Sequence, residues 1–333
     1  MTVEAFLDET PGEIRGVVMR DGRFEHLLIE REDDMQPHRL GARSVGRVAS
    51  VEPSLKGAFV DLGVDPGVAG FGFLPLKGEG KAAVGDKVEV EVVAEPRRGK
   101  GPALKLIGPG QGAPRLLSPG PGVKETLAIL TAGVEPVTGL EAIQASWDAE
   151  EEAGLPGEVF RDTGLDLMVE RTRAMVTVDL DFAAVQGVAT GMKARDRANR
   201  QGLAQAARLI GLKRWGGLVA IDLIGTNLDG PPILATAKAA FGKTASVGPI
   251  NRFGVLQLAL PWGRTPVEEI FTGTDGRRMV AHRAQDVVRG LRHALLSDTA
   301  SPRIVEKCPA DVADLAAPLV ARLGPRAAIE IEE

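Results

Sequence analysis

Two apolar runs in this chain of 333 residues each end on aspartate. One reads Val176-Thr177-Val178-Asp179-Leu180-Asp181; the other reads Val219-Ala220-Ile221-Asp222. Catalytic and ligand sites of α/β folds gather at the carboxyl ends of strands. Carboxylates that converge there are costly unless a cation neutralises them. Hard oxygen donors of this type suit Mg²⁺ or Mn²⁺. A metal held in this way lowers the pKa of a bound water and polarises a phosphodiester. A simpler role is open to the same residues, because aspartates also cap helices and terminate strands.

The flanking segments must position these acids. Arg173 to Asp181 reads as a buried strand, and Leu218 to Ile224 as another. Between them, Arg195 to Leu212 has helical spacing, with Leu203, Ala206, Ala207 and Ile210 on one face. Strand, helix, strand predicts an α/β layer.

Upstream, Ile14 to Glu30 reads as a hairpin turning at Asp21-Gly22. An acidic stretch, Glu30 to Asp34, leads into a strand-rich region from about Arg39 to Ile107. Its strands are expected at Val45–Val48, Gly57–Gly63, Gly72–Leu76, Lys87–Val92 and Ala103–Leu106. Five short strands with glycine corners predict an OB-type barrel. Gly108 to Gly122 is rich in Gly and Pro and reads as a domain junction. A mixed region follows to about Glu170, with a helix expected over Ala142–Glu152. Helices over Ala284–Leu296 and Val312–Leu323 and a strand over Ala327–Ile331 are expected at the C-terminal end.

Composition narrows the class. The hydrophobic fraction of 44% suffices for buried cores, and no apolar run reaches membrane-spanning length. Glu4, Asp8, Glu9 and Glu13 stand where a secretory signal would be basic and then apolar. The one cysteine, Cys308, excludes a disulfide within the chain and speaks against a cysteine-built zinc site. These features predict a cytoplasmic protein with no membrane association. The net charge of −5 argues mildly against nucleic acid. Basic residues nevertheless clump at Arg97, Arg98, Lys100 and Lys105, and again at Lys193, Arg195, Arg197 and Arg200. Each clump reads equally as a solvated face.

Three strings carry a resemblance to a known family. The first is GRVASVEPSLKGAFVDLGVDPGVAGFGFLPL, residues 46–76. The second joins Val178-Asp179-Leu180-Asp181 to Trp215-Gly216-Gly217-Leu218-Val219-Ala220-Ile221-Asp222-Leu223. The third is Asn251-Arg252-Phe253-Gly254-Val255-Leu256-Gln257-Leu258. Over residues 14–330 the chain resembles the ribonuclease E/G family, whose matching strings are Ile-Asp-Ile-Asn, Gly-Gly-Leu-Ile-Val-Ile-Asp-Phe and Ser-Arg-Phe-Gly-Leu-Leu-Glu-Met. Asp222 follows Asp179 by 43 positions, which aligns with the family pattern without a gap.

The resemblance implies an α/β fold in which an S1-type OB barrel is inserted into an RNase H-like and DNase I-like catalytic region, with a small C-terminal α/β subdomain. The expected domains are a hairpin at 1–35, the RNA-binding barrel at 36–108 and a reduced RNase H-like region at 109–170. The DNase I-like region at 171–265 and the subdomain at 266–333 follow. Asp179 and Asp222 would be the Mg²⁺ ligands and, with Asp181, the catalytic set. Phe59 and Phe73 match aromatics that stack on RNA bases, and Lys100 matches a basic residue of the same face. Read without the family, both phenylalanines could equally be barrel core. Arg47 and Lys56 could extend the basic face. Asn199 falls where the family has an asparagine before its long helix. Single-stranded RNA is the expected partner, because its bases are free to splay onto aromatics.

The chain also departs from the family. Ile270 to Gly276 replaces the family's Cys-Pro-x-Cys link, which speaks against a zinc-linked dimer. Leu130-Thr131-Ala132-Gly133 replaces an Arg-Thr pair that holds a 5′-monophosphate, and leucine cannot bind phosphate in a bidentate way. Phe182-Ala183-Ala184 lacks the arginine of a Ser-Ala-Arg run, and Gly225 stands in place of an acid. Asp181 replaces an asparagine and adds charge to the site. Two functions follow. One is a Mg²⁺-dependent endoribonuclease cleaving single-stranded RNA. The alternative is a catalytically weak or inactive RNA-binding paralogue.

Overall fold

Asp21 and Gly22 both take positive φ, 49° and 74°, the pairing a type I′ hairpin turn needs. They join β2 (Glu13–Arg20) to β3 (Arg23–Arg31) in the computed structural model, which describes residues 2–65, 70–76, 82–182, 191–225 and 228–332. The hairpin is therefore present, and β1 (Val3–Thr10) widens it to a three-stranded antiparallel sheet. Residues 66–69 of the barrel string, and Ala183 and Ala184 after Asp181, lie outside the described residues.

The chain divides into two compact units: residues 1–149 with 263–333, and residues 150–262. In the first, all five expected barrel strands form: β4 (Arg43–Glu52), β5 (Gly57–Asp61), β6 (Gly72–Pro75), β7 (Lys87–Ala94) and β8 (Ala103–Pro109). Their pairing runs β4-β5-β6-β8-β7 and returns to β4, so the barrel closes in OB-like fashion. Its interior holds Val48, Ala58, Val60, Leu74, Val90 and Leu104. The Gly/Pro-rich junction is not featureless, because β9 (Arg115–Ser118) within it pairs with the start of β4. Next come α1 (Val123–Leu130), whose Val123 and Leu127 pack on Ala5, Leu7, Val18 and Leu28, and α2 (Leu140–Gly154).

The second unit is a six-stranded sheet of order β10-β11-β12-β13-β15-β14. Its members are β10 (Gly157–Phe160), β11 (Leu165–Arg171), β12 (Val176–Phe182), β13 (Gly217–Asp222), β14 (Ser246–Ile250) and β15 (Val255–Leu260). Among the described residues of this sheet, only β12 and β13 pair in parallel, and α3 (Met192–Leu212) lies in the crossover between them. With α4 (Gly230–Phe241), α3 covers one face. Leu203, Ala206, Ile210 and Ile233 meet Val178, Leu180, Val219 and Ile221 in the unit's core. The strand–helix–strand expectation thus holds, but the expected domain divide at 170/171 falls inside β11, whose residues on both sides of it pair with β12.

The remainder of the first unit adds α5 (Val267–Phe271), α6 (Val280–Ser297), β16 (Ile304–Cys308), α7 (Ala310–Val320) and β17 (Ala327–Ile331). The strands pair in parallel, and Cys308 is a buried member of the core they form with α6 and α7. Beneath β1 and β2 lies a buried ionic network. Arg289 donates from Nε to Asp8 at 2.6 Å and from Nη2 to Glu13 at 2.8 Å, while Arg15 reaches Glu13 at 2.6 Å. Among the described residues, no helix is long and apolar enough to cross a membrane.

Candidate functional site

Along β12, Val176, Val178 and Leu180 are buried, so the alternation of a strand turns Thr177, Asp179 and Asp181 to the opposite face. Along β13, Val219 and Ile221 are buried and Asp222 turns outward. The parallel register sets Asp179 directly opposite Asp222, on strands about 4.8 Å apart. Both line a shallow concavity of about 290 Å³ together with Met168, Glu170, Thr177, Ala220 and Val255. One expectation is corrected here. Asp222 ends its strand, but β12 continues to Phe182, so Asp179 sits in a strand interior and not at its carboxyl end.

The acids act on one another. Partial desolvation raises the pKa of Asp179, and the carboxylates of Asp222, Asp181 and Asp166 add like-charge repulsion in the same direction. Asp181 points to the same face, opposite Asp166 of β11, and its Oδ1 accepts from the Phe182 backbone N–H at 2.7 Å. It does not line the concavity and reaches Asp179 through its charge. Oxygen donors from neighbouring strands on an open face can hold a divalent cation.

Asn199 is fully buried within α3, seven residues past its start, and not ahead of the helix. Its Nδ2 donates to the carbonyl of Ile224 at 3.2 Å, and its Oδ1 accepts from the Ile224 N–H at 2.9 Å. The helix thus clamps the segment that leaves Asp222. Lys193, Arg197 and Arg200 are exposed on the first turns of α3, and Arg197 stands 3.8 Å from Asp162.

Asp166, Glu170 and Thr177 were missed as face-mates of the aspartates. The signal for Asp166 and Glu170 is the alternation of Leu165-Asp166-Leu167-Met168-Val169-Glu170, and that for Thr177 is the alternation of its own strand, Val176-Thr177-Val178-Asp179.

The barrel presents a second surface. Phe59 and Phe73 are register partners on β5 and β6, their rings edge to face with centroids 5.6 Å apart. Both are half-buried, while their neighbours Ala58, Val60 and Leu74 fill the interior, so the rings belong to the outer face. Gly57 seats the Phe73 ring, since a Cβ there would stand 2.3 Å from Phe73 Cζ. Arg47 is exposed on β4, with Asp61 and Lys87 as cross-strand partners. Lys100 is exposed in the turn between β7 and β8, closed by paired backbone hydrogen bonds with Arg97. Arg98 of the same clump is engaged, its N–H donating to Glu269 at 2.6 Å. The structure therefore brings Phe59 and Phe73 together, while Arg47 and Lys100 stand on other elements of the barrel.

Thr131 is buried at the C-terminal end of α1, where its hydroxyl donates to the Leu127 carbonyl at 2.8 Å. The negative end of a helix dipole is a poor place for phosphate. No protein-family model matches the chain, and no curated protein does.

Proposed function

We propose that the chain is a Mg²⁺-dependent endoribonuclease of the ribonuclease E/G family, acting on single-stranded RNA. The observation that carries this reading is the register of Asp179 with Asp222 on parallel strands, both lining one open concavity. The raised pKa of Asp179 fits a metal site: carboxylates that repel one another gain from a dication between them. Asp179 and Asp222 would hold Mg²⁺, which suits hard oxygen donors and, when bound, supplies an acidified water and polarises the phosphodiester. Asp181 and Asp166 strengthen the negative potential at the ion. Phe59 and Phe73 stack bases of the bound strand, and Lys100 and Arg47 attract its phosphates.

On this reading the barrel is of the S1 type and interrupts an RNase H-like region. That insertion is supported by β1–β3 and α1 sharing one core although the barrel separates them in the chain. The sheet of residues 150–262 is then the DNase I-like catalytic region.

The second reading, a catalytically weak or inactive RNA-binding paralogue, is favoured by one observation: Thr131 is buried with its hydroxyl spent on its own helix. Cleavage of a short unstructured RNA in Mg²⁺ and in chelator separates the two. The nuclease cleaves only with metal; cleavage no greater than in the metal-free control leaves the RNA-binding reading.

A further inference from the structure

Beyond the paired aspartates, the sheet of residues 150–262 carries one large aromatic in an unusual setting. Phe253 is 69% exposed at the tip of the turn between β14 and β15. The turn is tightly held. Asn251 Oδ1 accepts from the N–H groups of Phe253 and Val255 at 2.9 and 3.1 Å, and Gly254 N–H donates to the Asn251 carbonyl at 3.1 Å. Gly254 takes φ +87°, and a Cβ there would stand 3.3 Å from the Gly225 carbonyl, so the turn lies against the segment leaving Asp222. Val255, two residues beyond Phe253, is the cross-strand partner of Asp222 and lines the concavity. The Arg252 guanidinium stands 4.7 Å from the centroid of the Phe253 ring.

We infer that Phe253 is a stacking platform for a nucleobase of the strand whose phosphate lies at Asp179 and Asp222. This rests on the RNA-cleaving function proposed above. An exposed aromatic costs solvation that packing does not return, and a base has a π-face that fits it whatever the sequence. The clamped turn holds the backbone of Phe253 two residues from Val255, which lines the acidic concavity, before RNA arrives, so little backbone ordering accompanies binding. Phe253 is a positioning residue: it holds the strand in register, and the aspartates act on the phosphate.

The test measures binding of a short unstructured RNA carrying one 2-aminopurine, in chelator so that nothing is cut. The full chain is compared with Phe253→Ala and Phe253→Trp. The expected result is quenching of the 2-aminopurine by the unmutated protein. In Phe253→Ala that quenching is lost and affinity falls about 5- to 150-fold; Phe253→Trp restores both. Unchanged melting temperatures keep the comparison one of binding. Equal affinity and equal quenching in Phe253→Ala overturns the platform, as does a failure of the unmutated protein to bind RNA. If Phe253→Ala loses binding in chelator yet Mg²⁺ brings no cleavage of the unmutated complex, the nuclease reading fails and the platform stands.

Discussion

The buried carboxamide of Asn199 makes both of its hydrogen bonds to one residue, accepting from the N–H and donating to the carbonyl of Ile224. This joins α3 to the chain two residues beyond Asp222, so the helix that makes the parallel crossover also fixes where the β13 aspartate ends its strand. Replacing Asn199 by Ala strands two buried backbone groups and should cost roughly 1–3 kcal/mol. Asn199→Asp should cost more, because it loses the donor and buries a carboxylate. Urea unfolding of both variants checks this; midpoints matching the unmutated chain would refute the clamp.

Asp179→Asn and Asp222→Asn should each abolish Mg²⁺-dependent cleavage of single-stranded RNA while leaving RNA affinity within twofold. Gel-resolved cleavage and fluorescence anisotropy on the same preparations measure both. Metal-dependent cutting by either variant would remove the two aspartates from the mechanism.

The Asp179 carboxyl, raised by desolvation and by Asp222, Asp181 and Asp166, binds its proton more tightly in the folded protein than in the unfolded chain. Its ionisation therefore weakens the metal-free fold as pH rises through the window above 3.8. In chelator at neutral pH, Asp179→Asn should melt higher than the unmutated protein. Mg²⁺ should raise the melting temperature of the unmutated protein, less so as pH falls and protons compete, and should leave Asp179→Asn unmoved. A melting temperature indifferent to Mg²⁺ at neutral pH counts against the site.

Phe59→Ala and Phe73→Ala should each weaken RNA binding by about 1–3 kcal/mol with the barrel still folded. Gly57→Ala tests the seat beneath the ring. Its new methyl must push Phe73 aside, so affinity should drop although both aromatics remain. Loss of stability with unchanged affinity would instead make the rings structural.

Glu13 is buried, which alone opposes ionisation, yet Arg15, Arg289 and Arg31 beside it hold its carboxyl far below the usual carboxylate range. A depressed folded-state pKa contributes stability above the unfolded value near 4.5 and loses it as pH falls. Glu13→Gln should cost roughly 3–5 kcal/mol at pH 7, because it leaves buried guanidinium charge uncompensated. The gap to the unmutated chain should narrow below pH 4.5. Denaturant titrations at both pH values measure it, and a gap independent of pH would contradict the assignment.

By itself the sequence determined the local elements. Asp21-Gly22 specified its turn, the alternation from Lys87 to Val92 its strand, and the apolar run before Asp222 a buried strand with an outward acid. Local rules reach that far because side-chain period and turn chemistry depend on near neighbours. They failed at β1, where Asp8 faces inward and breaks the alternation. That charge is tolerable only because Arg289 and Arg292, some 280 positions later, come to meet it. At β11 the alternation is legible, but three charges in seven residues leave it a weak strand by itself, and pairing between β10 and β12 holds it. The decisive relationship, Asp179 level with Asp222, belongs to tertiary structure alone. Each aspartate was legible in its own string, but only the packing of α3 across the sheet sets the register of two parallel strands that share no turn. The same holds for Phe253: a loop residue in the string, and two residues from the partner of Asp222 once β15 pairs with β13.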